Sequence, residues 1–264
     1  MTDQEKYTHG HHDSVLRSHR WRTVENSAAY LAPHLGPDDV LLDVGCGPGS
    51  ITVDLASRVG KVVGVDLAAE VLEEARAKAE GVANVSFRAA DVYELPFEDG
   101  TFDVVHTHQT LQHVADPVRA LREMRRVCRP GGIVAARESD YAGKVWYPAS
   151  PEIEEWLALY DRCARANGGE PNAGRHLLAW AHAAGFTEVT PSASTWCHAT
   201  EEERRWWGEM WRDRILRSAM AGQALDSGYA TREDLERISR GWQAFADHPD
   251  GWFTLLHGEI LCRA

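Results

Sequence analysis

The chain has 264 residues, 44% of them hydrophobic, which is enough for one α/β unit with a large core and too apolar for global disorder. A formal net charge of −12 repels a phosphate backbone and argues against nucleic acid as a partner. The five cysteines (Cys46, Cys128, Cys163, Cys197 and Cys262) form no Cys-x-x-Cys pair, and no run approaches the ~20 apolar residues of a membrane span, so the expectation is a cytoplasmic protein with reduced thiols, no bound metal and no membrane partner.

In chain order, residues 1–37 predict an N-terminal arm and a helix. His9-Gly10-His11-His12 carries no carboxylate or cysteine pattern that would fix a metal geometry, and reads as an arm or lid. Val15, Trp21, Val24, Ala28, Leu31 and Leu35 recur at helical steps and predict a helix over 18–35, closed by Pro33 and Gly36-Pro37. Val40–Val44 is a short apolar run that predicts a buried strand. Gly45, Gly47 and Gly49 follow it, and then a helix over 50–58. Further strands are expected at 62–66, 85–89, 102–106 and 133–136, with helices at 68–79 and 117–127 between them. Beyond Glu138 the rhythm breaks. Helices are expected at 151–166 and 175–184, a strand from 186, helices within 200–250 and a last strand at 251–262.

This alternation predicts an α/β, Rossmann-like, doubly wound and mostly parallel seven-stranded sheet, with helical insertions forming a cap. We expect a single domain over 1–264: an arm or lid at 1–37, a ligand-binding core at 38–138, and cap insertions at 139–185 and 200–250.

A strand, a glycine turn and a helix N-terminus make a nucleotide cradle. A dinucleotide fingerprint wants Gly-x-Gly-x-x-Gly, whereas here the spacing is Gly45-x-Gly47-x-Gly49, with Ser50 in the third glycine's place. Asp66, 21 residues after Gly45, could hold ribose hydroxyls. Asp43, Asp66 and Asp91 at three strand ends predict an anionic cleft, better suited to a cationic nucleoside than to a pyrophosphate.

Leu42-Asp43-Val44-Gly45-Cys46-Gly47-Pro48-Gly49 resembles the signature of class I S-adenosylmethionine-dependent methyltransferases. The similarity continues through Val65-Asp66, Ala90-Asp91-Val92, Leu95-Pro96-Phe97, Phe102–Val105 and Leu121–Gly132. It covers residues 38–138, and within the class it is most similar to the small-molecule methyltransferases of the ubiquinone and menaquinone biosynthesis type. The resemblance implies S-adenosylmethionine as cofactor. It implies that the loop Gly45, Cys46, Gly47 and Gly49 lies against the methionine part and ribose, beside Asp43. Asp66 would accept from both ribose hydroxyls, Leu67 would pack on the adenine, and Asp91, flanked by Ala90 and Val92, would accept from the adenine amino group. His108 and Gln109 would flank the methionine moiety and the transferred methyl.

Methyl transfer from a sulfonium is an in-line displacement, so the protein contributes approach geometry and exclusion of water, and a base only where the acceptor must lose a proton. His113 is the first candidate base, with His106, His108 and the N-terminal histidines behind it; a core or capping histidine is the alternative at His113. Tyr141, beyond the fifth strand, could orient an acceptor. Tyr7 in the arm, and Arg20 beside Trp21, could close the site or hold the cofactor's carboxylate. The tryptophans at 206, 207 and 211 are a pocket wall or, equally, a buried stripe.

The expected function is methyl transfer to a small-molecule acceptor through O, N or C, with a homodimer left open. The competing readings are a non-catalytic S-adenosylmethionine-binding module, a nicotinamide-dependent oxidoreductase, and a nucleic-acid methyltransferase. The last is disfavoured by charge and by His108-Gln109-Thr110-Leu111 where amino-methylating DNA enzymes carry a Pro-Pro motif.

Overall fold

The computed structural model describes residues 7, 8, 10 and 12–264. Two short helices, α1 (Asp13–Arg20) and α2 (Val24–Ser27), lead into β1 (Val40–Val44), α3 (Ser50–Leu55), β2 (Lys61–Asp66), α4 (Ala69–Lys78) and β3 (Val85–Ala89). After β4 (Phe102–His108) come α5 (Pro117–Val127) and β5 (Cys128–Tyr147). Then follow α6 (Pro151–Ala166), α7 (Ala173–Ala183), β6 (Val189–His198), α8 (Glu201–Arg217), α9 (Ala219–Asp226), α10 (Arg232–Asp247) and β7 (Trp252–Arg263).

The seven strands form one sheet in the order β3-β2-β1-β4-β5-β7-β6. The first five are parallel, while β7 runs antiparallel to both β5 and β6. The order reverses between β1 and β4, and that switch point is where an open α/β sheet leaves a crevice at its carboxyl edge. In register there, Asp43 lies beside Gly64 on one side and His106 on the other. The core strands are short runs of Val and Leu buried on both faces, as parallel strands covered by helices require.

Two elements depart from expectation. The helix over 18–35 is broken into α1, α2 and a 3-10 turn at Ala32–His34. Thr23 is the reason: its hydroxyl accepts from the Asn26 N–H while the Asn26 side chain accepts from the Thr23 N–H, a reciprocal cap that restarts the chain in a new direction. The fifth strand, expected at 133–136, runs for 20 residues and carries its ladder with β7 as far as Tyr147↔Trp252, across a register shift between Asp140 and Val145. Its charged residues obscured it. Arg137, Glu138 and Asp140 are buried in the strand because each has found a partner. Arg137 pairs with Glu259 at 3.1 Å, Glu138 accepts three backbone N–H groups, and Asp140 takes a two-pronged bond from Arg175 at 2.6 Å.

Helices α6, α8, α9 and α10 pack as a layer of their own over the end of the long β5–β7 ribbon. Trp156, Trp211 and Trp242 are fully buried at its centre. The Trp156 ring meets Trp211 at 4.5 Å and Trp242 at 4.9 Å, both edge to face, a geometry that adds about 0.5–1.5 kcal/mol per pair beyond area burial.

Candidate active site

A cavity of about 390 Å³ opens between the carboxyl ends of β1, β2 and β4 and the helical cap. One half is built from the glycine turn. Gly45 and Gly47 both have positive φ. A Cβ at Gly45 would fall inside the Thr110 side chain, whereas one at Gly47, which lines the cavity, would meet among the described residues only His19 Nδ1, at 3.9 Å. The bare backbone at Gly47 is thus a cradle that any side chain would fill. Asp66, at the end of β2, is fixed by the same turn: one oxygen accepts the Gly47 N–H at 2.9 Å, the other the Ala68 N–H at 3.0 Å. Leu67 is 50% exposed on the rim, next to Ala90, Asp91 and Val92 from the end of β3. The Asp91 carboxylate accepts the Tyr93 N–H at 2.9 Å.

Three sequence-derived assignments change here. Asp43 borders the cavity, but its carboxylate is committed: one oxygen accepts from Thr52 at 2.6 Å, the other contacts His106 Nδ1 at 2.8 Å. It supports the floor rather than offering a vacant acceptor. Gly49 does not line the cavity. Its positive φ starts α3, and a Cβ there would meet the Ala75 Cβ at 2.9 Å, so glycine serves helix packing at that position. Arg20 points away and pairs with Glu74 at 2.7 Å on the surface, tying α1 to α4. Its neighbour Arg22 takes the interior place. Arg22 lines the cavity and donates to the Gln109 side chain at 2.6 Å.

The other half of the cavity is aromatic and basic. Tyr7 lies edge-on to His113 at 4.8 Å and hydrogen-bonds His19 at 3.1 Å; burial pushes its hydroxyl up to about 12. His113 is half-buried, and burial next to Arg22 depresses it to about 3. The Gln112 amide donates to His113 Nε2 at 2.9 Å, with Gln112 Oε1 accepting from Ser139, so the basic lone pair of His113 is occupied. That weakens His113 as first candidate for a base. His108 is buried against Trp196 and His257, with neither ring nitrogen hydrogen-bonded among the described residues. Burial, with Arg22 and Arg137 nearby, holds it well below the usual histidine range and hence neutral. His106 is sealed in the sheet against Asp43 and does not line the cavity. Of the N-terminal histidines, His9 and His11 lie outside the described residues. Tyr141 lines the cavity with its ring stacked on Tyr160 at 3.8 Å. Trp207 and Trp211 both line the cavity and belong to the cap core, while Trp206 packs on Trp21. The Cys46 thiol is driven well above its usual range, first by burial and then by Asp43 and Asp66, which leaves it an inert wall.

Arg22, Lys144, Trp196, Arg214 and Leu255 complete the lining, and none stood out in the sequence. They arrive from the link between α1 and α2, from β5, β6 and β7 and from α8, far apart in the chain and without a motif among them. Among the described residues, no group of three or more His, Cys, Asp or Glu could hold a metal ion, and no helix is long and apolar enough to cross a membrane.

Residues 42–136 match the methyltransferase-domain family model. An uncharacterised methyltransferase of Schizosaccharomyces pombe is 39% identical over 277 residues, covering 99% of this chain and 98% of that relative. A demethylmenaquinone methyltransferase of Staphylococcus aureus is 38% identical over 122 residues, 45% of this chain and 48% of its own length. Among solved structures, phosphoethanolamine N-methyltransferase 2 of Haemonchus contortus, with phosphomonomethylethanolamine and S-adenosylhomocysteine bound, is similar at a TM-score of 0.54 and 21% identity, over 88% of this chain and 52% of that one. With the sheet order, the glycine cradle and a full-length relative in agreement, the chain belongs to the S-adenosylmethionine-dependent methyltransferases.

Proposed function

We propose that this protein methylates a small molecule enclosed between the strand ends and the helical cap, with Asp66 as the principal anchor of the cofactor. The observation that carries the reading is the Asp66 carboxylate, oriented by two backbone N–H groups at the mouth of a glycine cradle that has room for a ligand. When bound, S-adenosylmethionine supplies a methyl group already activated on a sulfonium. Asp66 would accept from the ribose hydroxyls. Leu67, Ala90, Asp91 and Val92 would bound the adenine, and Gly45, Cys46 and Gly47 would run along the ribose and methionine.

The chain's remaining task is to hold an acceptor in line and dry. The aromatic walls of Trp196, Trp207 and Trp211 suit that task. Where the acceptor must lose a proton, His108 is the better-placed imidazole than His113, because no protein group occupies its nitrogens. Tyr7, from the arm, and Tyr141 form part of the acceptor's enclosure. A small molecule, not nucleic acid, remains our reading of the partner from the −12 net charge.

The test is equilibrium binding of S-adenosylhomocysteine and NAD⁺ to the purified chain, followed by S-adenosylhomocysteine release with an acceptor panel. We expect the first ligand to bind and the second not to. NAD⁺ binding in its place would overturn the assignment, and cofactor binding with no release on any acceptor would favour a non-catalytic module.

A further inference from the structure

Lys144 is the anomaly of the cavity. It is only 6% exposed, its Nζ has no hydrogen-bonding partner among the described residues, and it lines the space facing the cap. Four rings surround the amine: Tyr141 at 3.0 Å, Trp156 at 4.4 Å, Tyr160 at 5.8 Å and Trp211 at 6.0 Å to their centroids. Ring faces attract a cation, but they do not replace a counter-ion for an ammonium removed from water. The acid close by in sequence, Asp140, is committed to Arg175 and to the Gly143 N–H.

The rest of that half repeats the imbalance. Arg22 and Arg214 line the same cavity; Arg214 is held by the Ser14 and Val15 carbonyls and Ser18 Oγ, whereas among the described residues Arg22 Nε and Trp207 Nε1 lack partners. The acids that line the cavity, Asp43, Asp66 and Asp91, all stand at the ends of β1, β2 and β3. The cavity is therefore polarised, with carboxylates on the cofactor side and unpartnered donors on the cap side. Such a site lacks an acceptor of hydrogen bonds that carries negative charge.

Resting on the methyltransferase reading above, we infer that the methyl acceptor is a flat aromatic molecule bearing an oxyanion, either a carboxylate or an acidic hydroxyl, and that Lys144 is the residue that binds it. The aromatic walls take the body and the amine takes the oxygen. A cationic amine acceptor is disfavoured, because the ring cage that would bind an ammonium is already filled by the lysine's own side chain.

Before ligand binds, burial and then the Arg214 charge hold the Lys144 amine well below its usual range, against a smaller opposing pull from Asp140. Proton balance then separates the two sources of an oxyanion. An acidic hydroxyl delivers its own proton to the amine, leaving an ammonium–oxyanion pair and no net exchange with solvent. A carboxylate arrives without a proton, so the amine takes one from solvent.

The experiment titrates 2-naphthoate, 2-naphthol, 2-naphthamide and 2-naphthylmethylammonium into the full chain saturated with S-adenosylhomocysteine. Calorimetry is done at pH 8 in two buffers of different ionisation enthalpy, and repeated without S-adenosylhomocysteine. We expect naphthoate or naphthol to bind about tenfold or more tightly than naphthamide, as loss of a buried charged partner implies. Proton uptake identifies the carboxylate arm and its absence the hydroxyl arm. Lys144→Met, of similar length and compatible with an aromatic nest, should abolish the preference and leave S-adenosylhomocysteine affinity unchanged. Equal affinity for naphthamide, including none for either, overturns the inference. So does a preference that survives in Lys144→Met, or tighter binding of the ammonium probe. Failure of S-adenosylhomocysteine to bind would instead strike at the methyltransferase reading, and the anion preference would still be read from the titrations without it.

Discussion

Asp43 and His106 are register partners on β1 and β4, and their side chains meet at 2.8 Å beneath the cavity floor. Thr52 holds the second Asp43 oxygen at 2.6 Å, so one carboxylate joins β1, β4 and α3 at the switch point of the sheet. Replacing Asp43 with Asn keeps the shape but turns one acceptor into a donor, so Thr52 must rotate its hydroxyl or His106 must change tautomer to accept from it. The expected cost is about 1–3 kcal/mol of unfolding free energy, read by urea denaturation. A variant of unchanged stability that no longer binds S-adenosylhomocysteine would make Asp43 a direct ligand instead.

Asp66 has a different profile: backbone N–H groups of Gly47 and Ala68 orient its carboxylate at the mouth of the cavity. Asp66→Ala should weaken S-adenosylhomocysteine binding about tenfold or more, through loss of a charged acceptor for two hydroxyls. Titration calorimetry reads this directly, and wild-type affinity in the variant would remove Asp66 from the site.

The glycines of the turn should separate by kind. Gly49→Ala introduces a Cβ 2.9 Å from the Ala75 Cβ, at φ +75°, and should destabilise the fold by about 1 kcal/mol or more. Gly47→Ala, at φ +53° with open space ahead, should cost cofactor affinity out of proportion to stability. The paired measurement is thermal melting with and without S-adenosylhomocysteine. Equal ligand-induced shifts in both variants would argue that neither glycine marks the cradle.

Acid should unfold this protein earlier than its carboxylates alone would require. His198 is buried with both nitrogens unpartnered, stacked on Trp207, and burial lowers it to about 4, with Glu203 opposing. Between pH 6.5 and 4 the unfolded chain binds a proton there that the folded chain refuses. Stability is therefore complete above 6.5 and lost as pH falls, by up to about 3 kcal/mol for this one group. His108, His113 and His257 act in the same direction. Glu138 acts against them. Burial lifts it to about 7 despite three backbone N–H donors, so its contribution is present at low pH and lost as pH rises through that value. Unfolding free energies at pH 7, 6, 5 and 4.5 should fall steadily, and His198→Phe should reduce the slope by about one proton. An unchanged slope in that variant would show His198 protonated in the folded state.

The cofactor half of the molecule was legible in the sequence, because its logic is local. A strand, a turn with positive φ and a helix start lie within a dozen residues, and β1, β3 and α5 match the expected boundaries to the residue, as does α6 in the cap. The same locality left two things unseen. The helix break at Thr23 depends on a reciprocal cap, which the apolar period running through it disguised. The length of β5 depends on partners for its charges that come from β7 and α7, far along the chain.

What the sequence determined by itself was the fold class, the cradle and Asp66 at its edge, since these follow from backbone geometry and short-range spacing. The tertiary structure decided which charges face the cavity. Arg20 and Arg22 are two residues apart and only Arg20 drew a site reading, yet Arg20 lies on the surface with Glu74 and Arg22 inside with Gln109. Asp43 and Asp66 both end strands, yet the side chains of Thr52 and His106 hold Asp43 inside the fold while the backbone of the glycine turn orients Asp66 at the cavity mouth. Lys144 lay outside every expected strand, in a stretch read only as part of the cap, until four rings from β5, α6 and α8 closed around its amine. Whether a polar side chain is satisfied or waiting for a ligand is settled by neighbours distant in sequence, and spacing along the chain carries no record of them.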